Sequence, residues 1–329
     1  MAGHIAVYGV LMMYRPEIKV VDCTIRDGGL ANDSHFTTET VREVYKAICA
    51  SKVDYVELGY RNSKEMFSPD EFGPWRFCDE DMLRKVTDGI DPGDTKLAVM
   101  QDAHKAKAED VLPCDESVVD MIRVATYVKH VDKAIKLDRN ASEKGYECAI
   151  NIMSISVEGG PFLEEAIQQI EEETDAKAVY IVDSFGSLYS EEIDYYIETY
   201  QKYIKTKEIG VHCHNNQQLA FANTIEGVIK GANYLDATLN GLGRGAGNCP
   251  LELLLAFLKN PKFDLVPVLD VIGKTILPLP GDLEWGYHLP YMITGILNQH
   301  PLAGMKLMKS DRRNDLVAFY NEMSEGPHL

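Results

Sequence analysis

The sequence predicts a (β/α)8 TIM barrel followed by a C-terminal helical extension. Short apolar, β-branched runs recur along the 329-residue chain, each followed by a polar or glycine-rich stretch and then by residues at helical spacing. Eight such units occupy roughly 225 residues, the size of a closed barrel. The runs are almost continuously apolar, as parallel strands buried on both faces require. A doubly wound open sheet is the rival; eight regular units favour closure.

The first run, 18–23, precedes a helix predicted over Thr38–Ala50, where Val41, Val44, Tyr45 and Ile48 share one face. The second, 53–58, ends at Gly59-Tyr60-Arg61 and opens a long loop, 62–75; loops of that length often bind ligands or act as lids. The third run is 96–100. The fourth, 118–124, leads to a helix over 133–144, and the fifth, 147–153, to one over 161–173. The sixth, 178–182, ends in Asp183-Ser184-Phe185-Gly186, with 191–203 helical. The seventh carries Val211-His212-Cys213-His214, with 219–230 helical. The eighth, 234–238, leads into the glycine-rich stretch 240–248 and a helix over 251–258. Beyond Lys259 the alternation stops, and 266–277, 287–299 and 312–323 read as helices. The expected organisation is an N-terminal extension, 1–17, in which Met12 or Met13 is an alternative start; a barrel domain, 18–262; and a helical extension, 263–329.

Hydrophobic residues make up 45% of the chain, ample for a large core. A formal net charge of −18 argues against nucleic acid or an anionic membrane surface as a partner. Seven scattered cysteines without a CxxC pair argue against a disulfide framework or a structural zinc site and suit a reducing cytoplasm. No apolar run reaches the roughly 18 residues of a membrane span. The first 13 residues lack the basic start and cleavage site of a signal peptide.

In barrels of this kind the active site lies at the C-terminal ends of the strands. His212 and His214, two apart on one strand, present their imidazoles to the same face, which is half of a divalent-metal site. Two histidines bonded to backbone and water are the plain alternative. Asp27 ends the first strand and adds a carboxylate, because in a closed barrel only strand 8 separates strands 7 and 1. This set suits Mn2+, Fe2+, Co2+ or Zn2+, and with added waters Mg2+. Arg26, beside it, either forms a salt bridge or grips a substrate carboxylate or enolate oxygen.

Thr24-Ile25-Arg26-Asp27-Gly28, His212-Cys213-His214-Asn215 and Gly241-Leu242-Gly243-Arg244-Gly245-Ala246-Gly247-Asn248 together resemble the DRE-TIM metallolyase superfamily. That superfamily includes HMG-CoA lyase, the isopropylmalate and homocitrate synthases and 4-hydroxy-2-oxovalerate aldolase. Arg123-Val124-Ala125-Thr126 and the residues from Gly245 to Glu252 point to the aldolase branch. The resemblance implies that Asp27, His212 and His214 ligate a divalent metal, Mn2+ foremost, with Mg2+, Co2+ or Zn2+ as alternatives. Asn248 is a further or outer ligand. It implies cleavage or formation of a C–C bond in a pyruvate-type 2-oxo acid through a metal-stabilised enolate. Arg26 adds positive charge at the enolate oxygen. Glu57 orients Arg26 or a water, or simply pairs with Arg26 or Arg61. Arg123, Asn151 and Asp183 line the substrate pocket. A small aldehyde as second substrate, a homodimer and an aldehyde dehydrogenase partner are expected from the same branch. A Claisen-type acyl-CoA condensing enzyme and a non-catalytic metal-binding partner subunit are the alternatives.

The sequence departs from the branch at one place. The branch reads Arg-Asp-Gly-x-His, with the histidine as acid or base, whereas here Leu30 stands at that position. Proton transfer then falls to His35, Tyr60, Tyr287, His288 or Tyr291. Tyr287, in Trp285-Gly286-Tyr287, resembles the neighbourhood of a tyrosine that the branch carries in its C-terminal helices, and is the expected auxiliary acid. Cys249 lies beyond Asn248, displaced from the cysteine that the lyase branch uses, and has no nucleophilic role.

Overall fold

The structure is a computed structural model that describes residues 15–281 and 283–325. The expected N-terminal extension lies almost wholly outside the described residues. Eight parallel strands close in chain order into one barrel: β1 Lys19–Asp22, β2 Tyr55–Tyr60, β3 Lys96–Asp102, β4 Met121–Thr126, β5 Glu147–Ile152, β6 Ala178–Asp183, β7 Glu208–Cys213 and β8 Tyr234–Ala237. β8 returns to β1 with Asp236 opposite Val21. The closed TIM barrel is the fold the strand periodicity predicts.

Side-chain alternation divides the core in two. Val20, Val56, Val99, Ile122, Ile150, Val179, Val211 and Leu235 face outward into the layer beneath the helices. The residues between them, including Val21, Tyr55, Ala98, Met121, Ala149, Ala178, Tyr180 and Tyr234, fill the interior. Large and small residues interlock there. A Cβ at Gly210 would stand 2.5 Å from the Tyr180 ring, so β7 needs glycine where β6 contributes its tyrosine.

The helix Thr38–Ala50 starts on Thr37, whose hydroxyl accepts the Thr40 amide, and buries the expected face of Val41, Val44, Tyr45 and Ile48. A helix at Glu80–Thr87, not anticipated because its only buried residues are Leu83 and Val86, follows the long loop after β2. The third crossover contains no α-helix. It runs through two short turns, Ala108–Asp110 and Cys114–Glu116, because Pro113 and a largely charged stretch leave no apolar stripe to bury.

The helix Leu265–Val271 continues into a π-helical turn, Ile272–Ile276. Its Val268, Val271 and Ile276 join the main barrel core, so the apolar layer runs past residue 262. The later helices Leu289–Ile296, Leu302–Met308 and Leu316–Glu325 share a small core of Ile293, Leu307 and Phe319. They dock beside the end of β7, where the Asn216 amide donates to the Tyr291 carbonyl at 3.2 Å. No helix among the described residues is long and apolar enough to cross a membrane.

Asp138, on the helix Val131–Glu143, is fully buried. Burial pushes its carboxyl up to about 7, partly countered by the Asp175 amide. The folded state therefore keeps a proton that the unfolded chain releases near pH 3.8, and this contribution to stability is lost as pH rises toward 7. Asp138→Asn cannot ionise. In thermal melts it should gain stability over the wild type at pH 8 relative to pH 5, by on the order of 2 kcal/mol; an equal difference at both pH values would show that Asp138 does not carry this dependence.

Candidate active site

The site is assembled at the C-terminal mouth of the barrel. β1 passes into a single helical turn, Thr24–Gly28, pinned to β8 by the Leu239 amide donating to Thr24 Oγ1 at 2.8 Å. That turn carries Arg26 and Asp27. On β7, the alternation that turns Gly210 inward also turns His212 inward, and His214 follows one step beyond the strand in a bridge to Asn248. His212 Nε2 lies 3.5 Å and His214 Nε2 3.9 Å from Asp27 Oδ2. The ligand atoms of the three residues lie within 4.8 Å of one another, and all three residues are buried.

A divalent cation fits these residues. One carboxylate and two imidazoles make a mixed N/O donor set. Asn248 Oδ1 is buried with no hydrogen-bond partner among the described residues, a free amide oxygen beside them. Gly243 leaves the space open: a Cβ there would collide with the Asn248 side-chain amide and stand 2.8 Å from Asp27 Oδ1.

Beneath the mouth, charges of alternating sign form a closed ring. Arg26 Nη1 donates to Asp27 Oδ2 at 2.5 Å and Arg26 Nε to Glu57 Oε2 at 2.7 Å. The same Glu57 oxygen pairs with Arg123 Nη1 at 3.0 Å. Arg123 Nη2 donates to Asp236 Oδ2 at 2.7 Å, and His212 Nδ1 donates to that oxygen at 2.9 Å. His212 Nε2 then faces Asp27 and closes the ring. Three carboxylates meet two guanidiniums, so the interior carries one negative charge before His212 is counted. Burial would raise the Asp27 carboxyl, but Arg26 and the two histidines hold it well below the carboxylate range. Burial likewise opposes ionisation of Asp236, yet Arg123 and His212 hold it at about 2. His212 is raised against the effect of burial because Asp236 and Asp27 flank it. Burial pushes His214 down to about 3, so it is neutral at pH 7.

A family model described as HMGL-like matches residues 17–271. The chain belongs to the HMGL-like family. A 4-hydroxy-2-oxovalerate aldolase from Pelotomaculum thermopropionicum is 32% identical over 264 residues, covering 79% of this chain and 76% of that protein. An oxaloacetate decarboxylase from Mycobacterium tuberculosis is 27% identical over 281 residues, covering 82% of each. The solved N-terminal domain of a Bacteroides vulgatus chain assigned as an aldolase superposes with a TM-score of 0.77 at 30% identity, covering 92% of this chain and all of that one.

In this HMGL-like barrel, Arg26, Asp27, Asn151, His212 and His214 line one cavity of about 170 Å3 at the mouth. Asn151 Oδ1 is buried without a partner among the described residues. Leu30 lines the cavity too and packs with Tyr60, Met100 and Ala125, so the wall is apolar where the aldolase branch has its histidine.

Arg123, Asp183 and Tyr287 lie elsewhere than expected, while Glu57 takes Arg26, one of its expected partners. Arg123 is sealed below the cavity between Glu57 and Asp236, with its guanidinium 4.5 Å from the Tyr180 ring. Glu57 is committed to Arg26 and Arg123, not to water, while Arg61 bonds the Cys78 carbonyl. Asp183 follows the inward-facing Val182 and so turns away from the lumen; its carboxylate accepts the Ser187 and Leu188 amides at 3.0 and 3.4 Å. Tyr287 is half-exposed and outside the cavity, beside a separate groove lined by Trp285, Gly286 and His288. His35 bonds the Glu71 carbonyl, and Tyr291 is buried with Ala246 and Met308. Of the residues expected to transfer protons, Tyr60 lines the cavity.

Several residues at the site were not singled out in the sequence, Asp236, Arg244 and His300 among them. Asp236 had a signal: an acid in the middle of the apolar run Tyr234-Leu235-Asp236-Ala237. Arg244 sits in the glycine-rich loop; its amide donates to Asp27 Oδ1 at 3.2 Å and its guanidinium to the Ser184 carbonyl at 3.1 Å. His300 arrives on the C-terminal extension, in a stretch with no motif, and lies 3.2 Å from Arg244 Nη1. Burial and the Arg244 charge push its ring down to about 4.

Because Asp236 orients His212, Asp236→Asn should weaken Mn2+ binding by about 10–100-fold in isothermal titration. Gly243→Ala, which fills the space between Asn248 and Asp27, should weaken it at least as much. Unchanged affinity in both variants would mean that the cation does not sit among these residues.

Proposed function

We propose that the chain is a divalent-metal-dependent carbon–carbon lyase of the aldolase type, acting on a pyruvate-type 2-oxo acid through an enolate. The observation that carries this reading is the convergence of Asp27, His212 and His214 on one cavity with a clamped Arg26 beside them. The relatives named 4-hydroxy-2-oxovalerate aldolase and oxaloacetate decarboxylase support it, since both named substrates are 2-oxo acids. The cavity is also small, below the roughly 300–1,000 Å3 of drug-sized pockets. Arg26, Arg76, Lys105 and Arg244 line it against two carboxylates, Asp27 and Asp102. A cationic cavity in a chain of net charge −18 selects a small anion.

Asp27, His212, His214 and Asn248 would hold the cation, Mn2+ foremost, which when bound supplies Lewis-acid stabilisation of negative charge on the substrate's keto oxygen. Arg26 is fixed in place before substrate arrives, because Glu57 and Asp27 hold it from two sides, and its remaining N–H groups meet the developing oxyanion. Asn151 Oδ1 accepts from a substrate hydroxyl. Burial raises the Tyr60 phenol, so it stays protonated and can return a proton to carbon 3. His300, neutral at pH 7, accepts from Arg244 through Nε2 and so positions that guanidinium at the cavity. The same reading includes a small aldehyde as second substrate, a homodimer, an aldehyde dehydrogenase partner and a cytoplasmic location. The seven cysteines, all free thiols, suit that compartment.

The test is exchange of the C3 protons of pyruvate with deuterium, followed by NMR in the presence of Mg2+ or Mn2+. Exchange should require the cation and fall by at least about 100-fold in Asp27→Asn and His212→Ala. Exchange that persists in both variants, or turnover that occurs only with an acyl-CoA donor, would sink the reading.

A further inference from the structure

Arg76 has no task in the chemistry above. It closes the short turn Pro74–Arg76 in the long loop after β2, is only 7% exposed and lines the same cavity as Arg26 and Asp27. Its guanidinium carbon lies 5.1 Å from the Tyr60 ring centre, 5.1 Å from Phe72 and 5.3 Å from Phe67. Aromatic faces offset part of the cost of burying the charge. They accept nothing in the guanidinium plane, where its five N–H donors point. Nε is buried with no hydrogen-bond partner among the described residues. Asp33 and Asp102 are the acids whose charge bears most on it. Asp33 is exposed, and Asp102 is already bonded to Lys105 and to the His104 amide, each at 3.0 Å. A permanent buried charge without a counter-ion is costly, and here the missing partner has the shape of a planar anion.

We propose that Arg76 is the receptor for a second carboxylate on the substrate, which makes the substrate class the 2-oxo diacids. This inference rests on the aldolase reading of the same site. The two cationic poles share one residue: the Tyr60 phenol feels the charge of both Arg26 and Arg76. Leu30, Met100 and Met153 also line the cavity and suit the carbon chain that joins the two acidic ends. A volume of about 170 Å3 admits a short diacid and little more. In the condensing direction the acceptor is a short aldehyde with its own carboxylate. A bond forms between C3 of pyruvate, which gives up one proton, and the aldehyde carbon, whose oxygen gains one; no oxidant or reductant is needed.

The experiment compares kcat/KM for pyruvate with matched acceptors, glyoxylate against acetaldehyde and succinic semialdehyde against butanal. It uses wild type, Arg76→Gln and Arg76→Lys, each checked by its melting temperature. The wild type should prefer the acidic member of each pair by at least about tenfold. That ratio should fall by about tenfold or more in Arg76→Gln, through KM, and be partly kept in Arg76→Lys. No preference in the wild type, or a preference that survives Arg76→Gln, overturns the proposal; if Arg76→Gln does not fold, an unaltered ratio in Arg76→Lys does so. C3 exchange of pyruvate needs no aldehyde and reports separately on the aldolase reading. Should exchange be absent, calorimetric titration with succinate decides. Binding weakened about tenfold in Arg76→Gln upholds the acid receptor, and equal binding in wild type and variant overturns it.

Discussion

Everything at the mouth of this barrel depends on the closed ring of Asp27, Arg26, Glu57, Arg123, Asp236 and His212. A buried charge is tolerable only while its partner is in place, and removing one member strands the next. The ring therefore constrains the residues around it. Arg123 needs the Tyr180 face, Tyr180 needs the space above Gly210, and β6 and β7 must match at that level. The ring also has a sign. With three carboxylates and two guanidiniums it lacks one positive charge, which a proton on His212 or a metal cation can supply. Protons and a divalent cation then compete for the same residues, and the interior electrostatics make the site before any ligand arrives.

Depth along the strands separates the holding residues from the contacting ones. Glu57, Arg123 and Asp236 stand on β2, β4 and β8, below the cavity, and touch one another. His212, Asn151 and Met100, with Arg26 and Asp27 on their helical turn, stand at the level of the cavity. The lower set gives rigidity and tautomer control; the upper set faces the cavity. Arg26 belongs to both, since its Nε is anchored in the ring while its remaining N–H groups are available to the cavity.

How much of this was legible follows from which distances the sequence encodes. A spacing of two on a strand and a closed cycle of eight strands suffice to bring Asp27, His212 and His214 together. The helix Thr38–Ala50 was readable because one face carries its apolar residues. The parity of Asp183, one place after an inward Val182, was equally readable and points it outward. The depths of Glu57 and Arg123 were not, because they depend on strand stagger, which periodicity does not carry. The docking of the C-terminal helices was not legible either. It rests on tertiary contacts such as Asn216 with Tyr291, and it brings His300, not Tyr287, to the mouth.

That last exchange bears on the leucine at position 30. The family match spans residues 17–271, and His300 lies outside it. The strands of the barrel and the turns that follow them supply Asp27, His212, His214 and the ring. The long loop after β2 supplies Arg76, and the extension supplies His300. Rigid strands set the part of the reaction that must not move, while loops and appendages can change the substrate without disturbing the ring beneath. Leu30 then has a physical role: close after Asp27, it makes an apolar wall against Met100 and Ala125. An apolar strip between two cationic poles is what a short chain with acidic ends requires. The residue that departs from the aldolase pattern and the arginine whose Nε has no partner among the described residues thus have one explanation, a substrate charged at both ends.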